Sequence, residues 1–178
     1  AANIDGLQNL GQKLTDIKQT GVAAPLTITA SQWAADAAAL AKISNTYSLN
    51  VTGVSAGNAV NVAGQANVAT VEVTDTPDNI AKNWDALNQL SSLGNGQLMK
   101  ITSTDLTANM AISATQLAAN TFALSKVQGA YKLDVSAVTA GGASAVNSMS
   151  HVARFSILDS AEHINTNIDT LDGLTKLN

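Results

Sequence analysis

Apolar residues recur along this chain with two alternating periods. Ile80, Trp84, Leu87 and Leu90 follow one another at helical spacing, and Ile164, Ile168, Leu171 and Leu174 repeat them, which predicts one helix in each place. Asp75-Thr76-Pro77 supplies an N-cap and a first-turn proline for the first of these. A second helix is predicted through Trp33, Leu40 and Ile43, and again through Leu117, Leu124 and Val127. Thr29-x-x-Gln32 and Ser113-x-x-Gln116 open it with the capping-box pattern. A third, shorter helix is expected over 57–65 and 141–149, where glycines weaken the pattern.

Between these segments the period falls to two. Tyr47, Leu49 and Val51 alternate with polar neighbours, as do Ala69, Val71 and Val73, and the pattern returns at Tyr131/Leu133/Val135 and Ala153/Phe155/Ile157. A less regular strand is expected over Leu14–Gln19 and Leu98–Ser103. Short strands at Leu26–Thr29 and Met110–Ser113 are expected off the main sheet, leading into the second helix.

The recurrence is a true repeat. Moved by 84 positions, residues 13–94 fall on 97–178 without a gap, with roughly a third of positions identical. NIDGLQNL from Asn3 matches NWDALNQL from Asn83 and NIDTLDGL from Asn167, the first at an offset of 80. Four residues are therefore expected as an insertion around Ser91–Gly96. The division is a partial repeat over 1–12, repeat one over 13–96, and repeat two over 97–178 ending in the first helix of a further copy. The expectation is one continuous structural unit cut from a longer array. Each repeat holds three helix-plus-strand coils of about 28 residues. Helices between strands favour parallel pairing with right-handed crossovers. Alternating strands present one face to helices and the other to water, whereas a doubly wound sheet would bury both. The expected fold is an open right-handed α/β solenoid, leucine-rich-repeat-like, with helices on one face. The alternative is two compact α/β repeats in tandem.

Composition narrows the function. The chain is 46% hydrophobic, 3% aromatic and 12% charged, so Ala, Val, Leu and Ile build the core and hydroxyl and amide groups cover the surface. Net charge is −4, with nine Lys and Arg spread thinly, which argues against nucleic acid as a partner. No apolar run approaches the length of a membrane helix, and no signal-peptide pattern is visible. Cysteine is absent, which removes disulfides, thiol nucleophiles and thiolate metal sites.

Candidate chemistry is sparse. His151 and His163 align with Asn67 and Asn79 and stand twelve apart on different elements, unlike the close spacing of a metal pair. Asp75/Asp78 return as Asp159/Glu162, and Asp85 returns as Asp169 and Asp5. Acids at strand-to-helix turns suit helix capping, and they are also the one oxygen set that suggests Ca²⁺, although EF-hand spacing is missing. No G-x-S-x-G, G-x-G-x-x-G or phosphate-loop motif occurs. Trp33, Trp84, Tyr47 and Tyr131 sit where core or sheet packing accounts for them. No catalytic, cofactor-binding or metal residue is assigned, and no enzyme activity is expected.

The order D-T-x-x-N-I-x-x-N-[hydrophobic]-D-x-L, L-T-[IL]-[ST]-A-x-Q, Y-x-L-x-V-x-x-V resembles a tandem repeat of very large bacterial secreted proteins. These are adhesin-like or matrix-like and associated with type I secretion and RTX features. Asp75, Thr76, Asn79, Ile80, Asp85, Leu87, Gln32 and Gln116 carry the resemblance, with Pro77 and Trp84 where Ala and Leu are expected. It implies an extracellular, cell-surface location and a scaffold role, with neighbouring repeats of the parent chain and surface polysaccharide as partners. The functional expectation is a non-catalytic spacer or scaffold module. The alternative is a carbohydrate- or calcium-binding module.

Overall fold

The computed structural model describes residues 3–20, 24–92 and 97–178. The insertion expected around Ser91–Gly96 lies largely outside them. The first half contains α1 (Ile4–Gln8), β1 (Leu26–Thr29), α2 (Ala30–Ala35), α3 (Ala37–Leu40), β2 (Leu49–Val54), α4 (Ala59–Ala63), β3 (Val68–Asp75), α5 (Pro77–Lys82) and α6 (Trp84–Gln89). The second contains β4 (Leu98–Ser103), β5 (Met110–Ser113), α7 (Ala114–Ala119), α8 (Thr121–Ser125), β6 (Leu133–Val138), α9 (Ala143–Ser148), β7 (Val152–Ile157), α10 (Ala161–Thr166) and α11 (Ile168–Asp172). A 3₁₀ turn precedes α4 and another precedes α9.

The corners are set locally. The Thr29 hydroxyl accepts from the Gln32 backbone N–H at 3.1 Å, and the Gln32 side chain accepts from the Thr29 N–H at 3.1 Å. Ser113 and Gln116 make the same reciprocal pair, satisfying donors that a helix start leaves open. Thr76 caps α5 with Pro77 behind it, and Ser160 caps α10.

The fold is mixed α/β with parallel sheets. β1-β2-β3-β4 form one sheet in sequence order and β5-β6-β7 another. Leu26 faces Leu49, Val51 faces Val71, and Val71 faces Leu98. The register of β5 on β6, Met110 facing Leu133, is that of β1 on β2 moved by 84 residues. Single parallel bridges continue the ladder at Ile17–Ile43, Ile101–Val127 and Phe155–Leu177. The second of these joins β4, the last strand of one sheet, to the residues that lead into β6.

Several sequence expectations need correction. β1 and β5 are members of the sheets, because the Leu26 and Met110 N–H groups find acceptors at Ser48 and Lys132, both at 2.8 Å, which an isolated segment would lack. Over residues 14–19 only the Ile17 bridge forms. The counterpart β4 gains its length by pairing with β3, and nothing described precedes 14–19 to do the same. Tyr47 and Tyr131 lie just ahead of β2 and β6. Ala69 is the extra residue of a bulge between β2 and β3, so Val68 takes the inward place and Ala69 is half-buried.

The two predicted long helices are each broken in the middle. The breaks fall at Asp36, Asn83, Asn120 and Asn167, all with φ between −118° and −101° and ψ between 7° and 32°. This bridge region suits residues whose side chains compete for backbone groups. Asn83 and Asn167 donate to the carbonyls four residues back at 2.7 and 2.8 Å, a bond that bends helices. Ile43, expected to be helical, follows the end of α3 and enters the bridge with Ile17.

Buried residues of both halves belong to one apolar cluster. Trp84 and Phe155 are its largest fully buried side chains. Trp84 belongs to the first half, yet its indole N–H donates to the Ala111 carbonyl of β5 at 3.2 Å. The core thus runs through the junction between the repeats.

Candidate functional site

The acidic turns are structural knots. Asp75 Oδ1 accepts from the Thr76 N–H and the Asn79 side chain, each at 2.8 Å, and Oδ2 accepts from the Ala56 N–H at 2.9 Å. Asp159 accepts from the N–H groups of Ser160 and Ala140 at 2.8 and 2.9 Å. His163 Nδ1 lies 2.8 Å from Asp159, where Asn79 serves Asp75. Each aspartate therefore ties its own strand-to-helix corner to the turn that ends the preceding strand. Burial raises the Asp75 carboxyl, but the donors at Asn79, Ala56 and Thr76 outweigh it and hold it below the ordinary value. His163, then the Ala140 and Ser160 amides, lower Asp159 in the same direction.

A second knot joins consecutive coils. Asp85 on α6 accepts from Asn120 at 2.7 Å and from Gln116 at 3.0 Å, and these two bonds lower its carboxyl. Beside it, Asn88 donates to the Ala119 carbonyl and accepts from the Ala123 N–H. In the first coil Asp5 accepts from Gln32 at 3.0 Å, but the place of Asn120 is held by Asp36. Asp36 is 3% exposed and its Oδ2 has no partner. Burial and the neighbouring Asp5 push its carboxyl up.

The other candidates do not converge. The His151 ring stacks on Tyr131 with centroids 4.1 Å apart, and it precedes β7 whereas the His163–Asp159 pair follows it. Trp84 is fully buried, and Trp33 is half-buried against the core. Asp78 and Glu162 lie in the first turns of α5 and α10, where acids complement the helix start. Among the described residues no three His, Cys, Asp or Glu gather to hold a metal ion, and no helix is long and apolar enough to cross a membrane.

The outward face of the strands carries polar pairs across neighbouring rungs. Thr70 donates to Asn50 at 2.6 Å, Lys100 meets Glu72 at 2.9 Å, and Arg154 meets Asp134 at 2.7 Å. Asn109 also donates to Asp134 at 2.7 Å. These contacts run laterally, from each strand to its neighbour. Sequence reasoning missed Asp105, whose Oδ1 accepts from the Thr107 N–H and hydroxyl at 2.8 and 2.7 Å. The pattern D-x-T after a strand was the available signal.

Concave surfaces lie at both ends, and smaller ones of about 300 Å³ lie beside α5 and β5 and over β6 and β7. At the C-terminal end a groove of 680 Å³ is lined by Ile157, Ile164, Ile168, Leu171 and Leu174, with Asp169 and Asp172 beside them. At the N-terminal end a groove of 370 Å³ is lined by Ile4, Leu7, Ile17, Leu26 and Ile43. The N-terminal groove is mainly apolar, whereas Ser156, Asp169, Asp172 and Asn178 make the C-terminal one mixed, and neither is lined by a His, Cys or Lys. No protein family, curated protein or solved structure matched the chain.

Proposed function

We propose that this chain is a non-catalytic structural module, an open α/β solenoid serving as spacer or scaffold in a large extracellular adhesin-like or surface-matrix protein. The observation that carries the reading is the succession of parallel pairings, each coil with the next, through Ile101–Val127 at the repeat junction. Trp84 buried beneath β5 supports it further. In such a fold each coil covers its apolar face only by stacking on a neighbour, so length grows by adding copies. The alternative of two compact units leaves the shared core at Trp84 and the Asp85–Gln116–Asn120 knot without a purpose. The charge-poor surface suits a spacer, and the resemblance to secreted tandem repeats supplies the expected location. Conserved spacing of the knots, not reactive side chains, is what the two halves have in common.

The test is the native polypeptide. Fractionated cultures of the source organism are probed with an antibody to this chain. A band far larger than 18.1 kDa in the medium or on the surface is the expected result. A cytoplasmic band near that mass would overturn the reading.

A further inference from the structure

One buried place differs between the two repeats by a single kind of atom. In the second repeat Asn120, 2% exposed, stands at the break between α7 and α8, and its side-chain amide donates to Asp85 at 2.7 Å. In the first repeat Asp36, 3% exposed, stands at the break between α2 and α3 and faces Asp5 within hydrogen-bonding reach. The frame around the two places is the same. Gln116 donates to Asp85 and Gln32 to Asp5, both at 3.0 Å. Asn88 accepts from the Ala123 N–H, and Gln8 accepts from the Ala39 N–H. Asp5 and Asp85 are both exposed. The geometry is kept, and a donor has become an acceptor.

Two carboxylates thus meet where a carboxylate and an amide would pair. Asp36 Oδ2 is buried and has no donor, which is costly for a polar group and more so for a charged one. The acidic turns do not share this feature, because Asp75 and Asp159 are filled by the amides of Ala56 and Ala140. Among the described residues the ion pairs engage Asp16, Glu72, Asp134 and Asp159, so no Lys or Arg pairs with Asp5 or Asp36. A proton shared by the two carboxyls leaves one negative charge in place, whereas a divalent cation cancels both. The ligand atoms are all oxygen, which selects a hard cation.

We propose that Asp36 and Asp5 hold a hard divalent cation of the Ca²⁺ class, which takes the place of the Asn120 amide and ties α1 to the α2–α3 break. Buried Asp36 supplies the inner ligand oxygen and exposed Asp5 the outer one. The two carboxylates provide part of the about six to eight oxygens that Ca²⁺ takes, and water entering beside Asp5 provides the rest. Every protein group involved lies on α1, on α2 or at the break that follows it, as Asp85, Gln116 and Asn120 lie on α6, α7 and the break after it. The seam between these two coils then depends on the cation, while the seam between α6 and α8 is held by the Asn120 amide alone.

The test uses the full chain, stripped of metal with a chelator and exchanged into chelator-free buffer at neutral pH. Titration calorimetry with CaCl₂ is expected to give saturable heat at one ion per chain. The melting temperature is expected to rise with Ca²⁺ concentration, since the ion binds the folded state. Asp36→Asn and Asp5→Asn should each lose both responses. Asp36→Asn should also melt above the metal-free wild type, because its amide restores the bond that Asn120 makes. Asn120→Asp should raise the stoichiometry to two ions per chain, because it turns the second frame into the first. Asp5 is exposed, so Asp5→Asn folds and decides the matter even where a change at a buried position does not. A wild type without saturable heat overturns the proposal. So does binding that survives Asp5→Asn or Asp36→Asn, which would place the ion on other carboxylates, and so does a folded Asn120→Asp protein that still takes one ion. The scaffold reading is untouched by these outcomes, because it is judged from the size and location of the native polypeptide.

Discussion

Gly53 and Ala137 occupy the same place in the two repeats, and both have positive φ, 68° and 56°. The left-handed region is neutral for glycine and costs an L residue about 1–2 kcal/mol. Each sits where the ladder shifts register, between Val51 and Val54 in one repeat and Val135 and Val138 in the other. The backbone there is fixed by its neighbours, not by its own side chain. Nothing lies within 4 Å of a Cβ built on Gly53, so Gly53→Ala adds strain without a clash. Alanine also restricts the unfolded chain, which returns about 0.4–1 kcal/mol. The net expectation is a loss of about 0.5–1 kcal/mol for Gly53→Ala and a gain of similar size for Ala137→Gly. The half-buried Ala137 methyl trims that gain slightly. Urea titrations with unchanged slope measure both, and the corresponding Tm shifts are about 1–4 °C in opposite directions. An Ala137→Gly protein less stable than the wild type, or two variants shifting the same way, would refute the reasoning.

Leu87→Ala empties a fully buried position and should cost about 2–5 kcal/mol, read as a lowered urea midpoint. Asp36→Asn should raise Tm at neutral pH by restoring the donor that Asn120 gives Asp85. The wild-type Asp36 carboxyl is raised in the folded state, so its contribution is fully present below its ordinary value near 3.8 and is lost as pH rises through the higher folded value. The gap between variant and wild type should therefore close on acidification, and a variant less stable at neutral pH contradicts this. Asp75, Asp85, Asp105 and Asp159 have the opposite sign. Their carboxyls are lowered from 3.8, so their stabilisation is present above that value and is lost as pH falls through the lower folded values. Thermal melts from neutral to strongly acidic pH should show stability falling below pH 3.8, and a flat profile there would count against the knots.

Local chemistry was legible wherever the deciding interaction spans few residues. Both capping boxes, the Thr76 and Pro77 start of α5, and the alternation of β2 and β6 are set within one element. The 84-residue spacing also locates the equivalent elements of the two halves. What periodicity missed was decided at longer range. A helix interrupted at Asn83 keeps apolar residues at helical spacing on both sides, so the pattern hides the break. The bend is realised because α6 must meet α7 and α8 of the next coil. The sheet membership of β1 and β5 depends on the free edges of β2 and β6, which no window around either segment contains. The acidic positions show the same division. Their recurrence was plain in the sequence, yet only the fold shows that the oxygens of Asp75 and Asp159 are already spent on the amides of Ala56 and Ala140. Ile168 illustrates the limit most clearly. It shares the apolar character of Trp84, but the burial of Trp84 comes from β5 packed over it, a contact that only the tertiary structure shows.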